Sequence, residues 1–466
     1  MRGEWAVRAS PIVSVVREYP DVSATGDSYL DCTCNHSKRG SNGILESRKQ
    51  RQRLVEQRRF RRPGLGKSGF EQRFQQFGRQ LQLQQQLVEQ RELSMRLRNL
   101  ALLLPAALLA LPAPAAAAPA MAPVDGVGLA KQTSNRLTAA FIDGAGTLNV
   151  SWVDGNGPWS RPVRISGDLA LPRTPVALAK QTGNRLTAVF NGKNRQMYAA
   201  HVDGGGRWTA PVPFGPKDGT PGGAVTLIQT GPDLLTATYV DKFGRLQVTE
   251  ARGLGDWSHP LAVGGGGGVP GSPVGATLQS NGLLINRLVL GFFDNQSALE
   301  IATKNLNTGE WNPPSVVSGP VDHQSVTAVT LAQQDPHIVT AAFVDGDGRI
   351  NVAWVADVGQ WHAPVPISGG SFPRGATVAL AKQTKDLLTA TAIDNSGRLN
   401  VAWVVKRGAW NGPVPVGDPG GLPGGPVALA KQNDSTLTTV LRDQGGGLRV
   451  AWVVGTGAWH PPVPIG

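Results

Sequence analysis

Seven tryptophans keep a near-constant spacing along the chain. Trp159, Trp208, Trp257, Trp311, Trp361, Trp410 and Trp459 stand 49, 49, 54, 50, 49 and 49 residues apart, and each opens a short Pro/Val-containing segment that closes on glycine. Such a period means that one structural unit has been repeated, and that each unit buries its apolar faces against its neighbours rather than in a core of its own.

Four apolar segments fit inside each unit. In the unit 175–215 they are Val176–Gln181 (strand A), Leu186–Phe190 (strand B), Met197–Val202 (strand C) and Trp208–Phe214 (strand D). Four short strands per unit of 40–50 residues is the pattern of radial four-stranded blades. The expected fold is all-β, a seven-bladed β-propeller over 121–466 with four antiparallel strands per blade. Its repeats run about 127–167, 175–215, 224–264, 275–319, 328–369, 377–417 and 426–466. Nothing in 121–466 reads as a helix.

The turns carry their own chemistry. Asp143-x-x-Gly146 recurs as Asp241-x-x-Gly244, Asp345-x-x-Gly348, Asp394-x-x-Gly397 and Asp443-x-x-Gly446, with Asn191 and Asp294 starting two looser versions. A carboxylate there accepts backbone N–H bonds while glycine takes positive φ, so these aspartates read as structural. The spacing differs from the Asp-box of sialidase-like propellers, whose serine and terminal aromatic are missing. Pro-Val-Pro in strand D (Pro211–Pro213, Pro364–Pro366, Pro413–Pro415, Pro462–Pro464) cannot donate fully to a ladder and suits an exposed outer edge. The last unit ends after its strand D and the first begins with strand A, so closure of the ring is expected to rest on packing between blades 1 and 7.

Charge separates the chain into parts. The whole carries a net +12, but residues 1–94 hold 17 Lys+Arg against 10 Asp+Glu, while 121–466 hold 26 against 23. The repeats are thus close to neutral and carry no basic stripe, which argues against a nucleic-acid partner. Residues 95–120, MRLRNLALLLPAALLALPAPAAAAPA, combine two arginines, a short apolar core and a small-residue run with A-x-A sites, the layout of a secretory signal peptide cut near Ala117 or Ala120. Four prolines within this stretch oppose a membrane anchor, so the mature form is expected to have no membrane span. Met95 then reads as the start of the exported precursor, and 1–94 as a disordered Gln/Arg-rich extension. Its Cys32, Cys34 and His36 lack a second half-site for a metal, and no other cysteine exists.

Little in the repeats can support catalysis. Glycosidic hydrolysis ordinarily needs two positioned carboxylates, yet Glu250, Glu300 and Glu310 are the only glutamates after the signal, and Tyr198 and Tyr239 the only tyrosines. The histidines His201, His259, His323, His337, His362 and His460 form no metal-spaced set, so neither a metal nor a cofactor is expected. The tryptophans divide into two classes. The strand D tryptophan occurs in every unit and reads as packing between blades. The strand C position varies, as Trp152, His201, Glu250, Thr303, Trp354, Trp403 and Trp452, which suits a blade rim where an exposed aromatic can stack on a sugar or simply be amphipathic.

Units such as AVTLAQQDPHIVTAAFVDGDGRINVAWVADVGQWHAPVPISG (328–369) resemble those of bacterial seven-bladed β-propeller lectins, including the fucose-binding kind, over about 127–466. The resemblance implies several shallow sugar sites between neighbouring blades, each with a stacking tryptophan. The matching positions are Trp152, Trp354, Trp403 and Trp452, with His201 in the same place on the second unit. No arginine/glutamate pair for fucose hydroxyls recurs across the units. The expectation is a secreted, non-enzymatic, glycan-binding propeller. The alternatives are a protein-interaction or cell-surface scaffold, and an extracellular glycan-active hydrolase or lyase using Glu250 or a channel carboxylate.

Overall fold

The computed structural model describes residues 126–281, 286–319 and 328–465. The segments 1–94 and 95–120, read above as an extension and a signal peptide, and His323 lie outside the described residues. Among those described, twenty-eight strands form seven four-stranded antiparallel sheets, each with its strands in the order A-B-C-D. Blade 1 is Val127–Lys131, Arg136–Ile142, Thr147–Asp154 and Val163–Asp168, and blade 7 is Val427–Lys431, Thr436–Arg442, Leu448–Val454 and His460–Pro464. The A strands of successive blades lie side by side, and that of blade 7 lies beside that of blade 1. A seven-bladed propeller results, with strand A innermost and strand D at the rim.

The cores sit between blades rather than within them. Alternation along strand C turns Leu148 and Val150 of blade 1 onto Val176, Ala188 and Phe190 of blade 2, all buried. Each Val, Leu or Phe so buried stabilises by roughly 1.5–3 kcal/mol. The same arrangement closes the ring, where Val440, Leu448 and Val450 of blade 7 pack on Val127, Ala139 and Phe141 of blade 1. Arg442 adds to this seam: it is only 1% exposed, its guanidinium lies 5.5 Å from the Phe141 ring centroid, and it donates to the Ile142 carbonyl at 2.8 Å.

A second tie between blades is polar. A glutamine at the end of strand A, as Gln132, Gln181, Gln334, Gln383 and Gln432, accepts from a strand B threonine (Thr138, Thr187, Thr340, Thr389, Thr438) at 2.8–3.2 Å. Its amide N–H donates onward to a carbonyl at the start of the next blade's C–D turn: Gly204, Gly253, Lys406, Gly455 and, closing the ring, Gly155. Those five acceptors all have positive φ, which aims the carbonyl back at the preceding blade. Blade 4 modifies the pattern, with Gln279 reaching His337 and Arg287 reaching the Asp357 carbonyl. Blade 3 has Thr230 in place of the glutamine, bonded within its own blade to Thr236.

The D-x-x-G turns form as the residues dictate. Asp345 Oδ1 accepts from Asp347 N (3.0 Å) and Arg349 N (2.8 Å), Oδ2 accepts from the Asn351 amide (2.7 Å), and Gly348 takes φ +72°. Burial pushes the carboxyls of Asp241 and Asp394 up, but hydrogen bonds to the ionised form outweigh it and hold both below the usual range. One turn differs from the sequence expectation. Asn191 does not start a turn: it is the last residue of strand B, buried, with its amide on the Gly223 carbonyl. The turn starts at Gly192, and Asn194 Oδ1 accepts from Gln196 N in place of an aspartate.

Strand D is shorter than expected in blade 2, Val212–Phe214 rather than Trp208–Phe214. Pro211 and Pro213 remove two ladder donors. In blades 4 and 6 the strand does begin at the tryptophan, as Trp311–Val316 and Trp410–Val416. Its valines Val212, Val365, Val414 and Val463 are 41–63% exposed, consistent with an outer edge protected by proline.

Candidate ligand-binding clefts

Strand C of one blade and the strand D tryptophan of the next face the same gap. Between blades 5 and 6, Trp354, Thr340 and Gln334 form one side of a cleft of about 920 Å³, and Trp410, Arg407, Gly408 and Pro413 form the other. Between blades 6 and 7, Trp403, Thr389 and Gln383 face Trp459, Gly457 and Ala458 across about 560 Å³. Between blades 7 and 1, Trp452, Thr438 and Gln432 face Trp159, Pro158 and Gly157 across about 650 Å³. These volumes fall in the range of small-molecule sites. The glutamine that ties the blades together therefore also lines the cleft.

The remaining gaps keep the plan with different side chains. Trp152 and Trp208, both partly buried, pack against the same cluster between blades 1 and 2. The Arg136 guanidinium lies 5.6 Å from the Trp152 ring centroid and is held there by a bidentate pair with Asp154, at 2.8 Å in both bonds. That hydrogen-bonded pairing keeps the Asp154 carboxyl below its ordinary range. His201 in blade 2 is half-buried, with Nδ1 3.3 Å from the Thr209 hydroxyl, and Trp257 lies across the gap stacked on Phe214. In blade 3 Glu250 pairs with Lys304 of blade 4 at 2.7 Å, and the Lys304 ammonium sits 5.7 Å from the Trp311 ring centroid. Glu250 is therefore engaged in an inter-blade ion pair.

The candidates Trp152, Trp354, Trp403, Trp452 and His201 occupy one equivalent position on five blades, each half-buried. No two share a cleft; each instead faces the strand D tryptophan of the following blade. Sequence alone assigns that second wall to packing. The tryptophan has both surroundings, since Trp410 and Trp459 pack against buried clusters with part of their surface and line clefts with the rest. Two histidines stack on strand C tryptophans. His362 stacks on Trp354 at 4.7 Å and 18°, and His460 on Trp452 at 4.6 Å and 16°. Their signal in the sequence is a fixed offset of eight residues after the strand C tryptophan.

The Tyr239 hydroxyl is buried on Asp218 at 2.9 Å, and burial beside that carboxylate pushes its pKa far up. Among the described residues no three His, Cys, Asp or Glu side chains are placed to hold a metal ion, and no helix is long and apolar enough to cross a membrane.

The fold and its gaps define a seven-bladed propeller with aromatic-walled clefts between blades. Among solved structures, the BP39L lectin from Burkholderia pseudomallei is 30% identical over 74% of this chain and 99% of that one, with a TM-score of 0.69. The chain belongs to the bacterial seven-bladed β-propeller lectin family. Two more distant matches are a fucose-specific lectin from Aleuria aurantia (15% identity, 74% and 96% coverage, TM-score 0.44) and the NanB sialidase of Streptococcus pneumoniae (12%, 71% and 68%, 0.43). No protein-family model and no curated protein matches the sequence.

Proposed function

We propose that the protein is an exported, non-enzymatic lectin whose inter-blade clefts bind glycans. The observation that carries this reading is the facing tryptophan pair, with a polar base of Gln and Thr, in the clefts Trp354/Trp410, Trp403/Trp459 and Trp452/Trp159. A pyranose presents an apolar face edged by hydroxyls, and such a cleft matches both surfaces. The 30% identity to a lectin over nearly its whole length supports the same ligand class. Shallow sites on one ring gain avidity on a surface bearing many glycans, because each further contact is intramolecular. The signal-like segment 95–120 supports export to the envelope or medium.

The test is a glycan array probed with the exported chain. Binding to a defined glycan class is expected, with loss of most of the signal in the double variant Trp403→Ala, Trp452→Ala. A blank array across broad glycan classes removes the proposal. Retained array binding by the double variant removes the assignment to these clefts.

A further inference from the structure

The inner end of strand A carries a feature that the clefts do not use. One register position near that end holds Lys131, Lys180, Lys382 or Lys431 in blades 1, 2, 6 and 7, and Gln229, Leu278 or Gln333 in blades 3, 4 and 5. The lysines are equivalent in register, opposite Leu137, Leu186, Leu388 and Leu437 of strand B. Because the A strands are innermost and adjacent around the ring, blades 6, 7, 1 and 2 place four cations on one contiguous arc at one end of the central axis. The three uncharged residues occupy the rest of the circle.

The fold does not require these charges. Glutamine and leucine fill the same position, and alternation puts the lysine on the face opposite the neighbouring glutamine that ties the blades together, so the tie does not use it. Four like charges on adjacent strands repel. Other cations of the blades are paired with carboxylates, Arg136 with Asp154, Arg185 with Asp203, Lys193 with Asp168 and Lys304 with Glu250. Among the described residues, Lys131, Lys180 and Lys382 form no ion pair, and Lys431 has only the fully exposed Asp434 at 3.7 Å. All four are half-buried, which strengthens their field relative to freely solvated surface lysines.

We propose that this arc is an anion site at the mouth of the central axis, taking the carboxylate or sulfate groups of an acidic saccharide. The saccharide assignment rests on the lectin reading; the anion site itself does not. It is separate from the tryptophan clefts, so one protein would hold neutral sugar units between blades and acidic units at the axis.

The experiment titrates the exported chain by calorimetry with a sulfated oligosaccharide, its desulfated counterpart and inorganic sulfate, at low and at high NaCl. The variant is Lys131→Gln, Lys180→Gln, Lys382→Gln, Lys431→Gln, which copies the residue that blades 3 and 5 already carry and so keeps the fold. The expected result is salt-sensitive binding of the sulfated oligosaccharide that falls at least tenfold in the four-site variant and persists in Trp403→Ala, Trp452→Ala. Binding in the clefts should respond in the opposite way, which separates failure of this inference from failure of the lectin reading. Undiminished sulfated-ligand binding by the four-site variant, or equal binding of the desulfated form, overturns the site. Binding of inorganic sulfate as tight as that of the oligosaccharide overturns the saccharide assignment. Equally tight binding of a nucleic acid of matched charge does so too.

Discussion

Gln432 of blade 7 donates its side-chain amide to the carbonyl of Gly155 in blade 1, while its own oxygen accepts from Thr438 at 2.9 Å. Among the described residues each blade takes its four strands from one stretch of chain, and this bond, the Arg442 contact and the apolar seam join blade 7 to blade 1. Gln432→Ala leaves the half-buried Gly155 carbonyl and the buried Thr438 hydroxyl without their partner. The expected cost is about 1–3 kcal/mol, read as a lower urea midpoint with a nearly unchanged slope. Gln432→Glu should cost as much, because a carboxylate cannot donate to the Gly155 carbonyl. No loss of stability in either variant would show that packing alone closes the ring.

Blade 4 breaks the turn chemistry of its neighbours in a way that can be repaired. Asn149, Gln247, Asn351 and Asn400 each donate to the carboxylate of the turn aspartate at 2.7–2.9 Å. The equivalent residue in blade 4 is Glu300, beside Asp294. Burial first, and the Asp294 charge second, raise the Glu300 pKa. A folded-state pKa above the unfolded one means that the native state holds this proton more tightly. The favourable contribution is then present at low pH and lost as pH rises through the folded value. Glu300→Asn should raise stability at pH 7 by about 1 kcal/mol and flatten the pH dependence above the ordinary glutamate range, near pH ~4.3. Denaturant melts at acidic and neutral pH decide it.

Asp241 and Asp394 titrate in the opposite sense. Their folded pKa values are depressed, so their contribution is complete above the unfolded aspartate value of about 3.9 and is lost as pH falls through the folded one. Asp394→Asn removes a charge-assisted acceptor from Ser396 N, Arg398 N and Asn400, bonds of 2.9 Å each. A loss of about 1–3 kcal/mol is expected at pH 7. At pH 3 the loss should shrink, since part of the wild-type contribution is already gone. Equal destabilisation at both pH values would contradict the charged role.

Architecture was legible because it is periodic: the tryptophan spacing gave the blade number, and alternation gave the faces of strand C. Proline marked the rim. What escaped was pairwise and non-local. The glutamine at the end of strand A recurs in the sequence, but its acceptor lies about 72 residues onward on the next blade, and nothing local announces it. Asn191 was read as a turn residue by its type, whereas register made it the buried end of a strand. The strand D tryptophan was assigned to packing because it never varies. Its invariance fits the half-cleft it forms equally well, and only the juxtaposition of Trp410 with Trp354 separates the two roles.

The stacked histidines offer a way to tune individual clefts. His362 covers Trp354 and His460 covers Trp452, whereas Trp403 has Asn411 opposite it in the ladder. A near-parallel aromatic pair contributes about 0.5–1.5 kcal/mol beyond its area and restricts the indole to one orientation, so less order is lost when a ligand stacks on it. His362→Asn should therefore weaken binding at the Trp354/Trp410 cleft by roughly two- to tenfold with little change in stability, because His362 is exposed. The reciprocal change Asn411→His should strengthen the Trp403/Trp459 cleft by a similar factor. Both effects are read by ligand titration of tryptophan fluorescence, in a background where Trp452→Ala removes the third cleft. A gain in Asn411→His matched by a loss in His362→Asn assigns the effect to the stacked ring. Losses in both variants would show instead that each cleft is fitted to the residue it has.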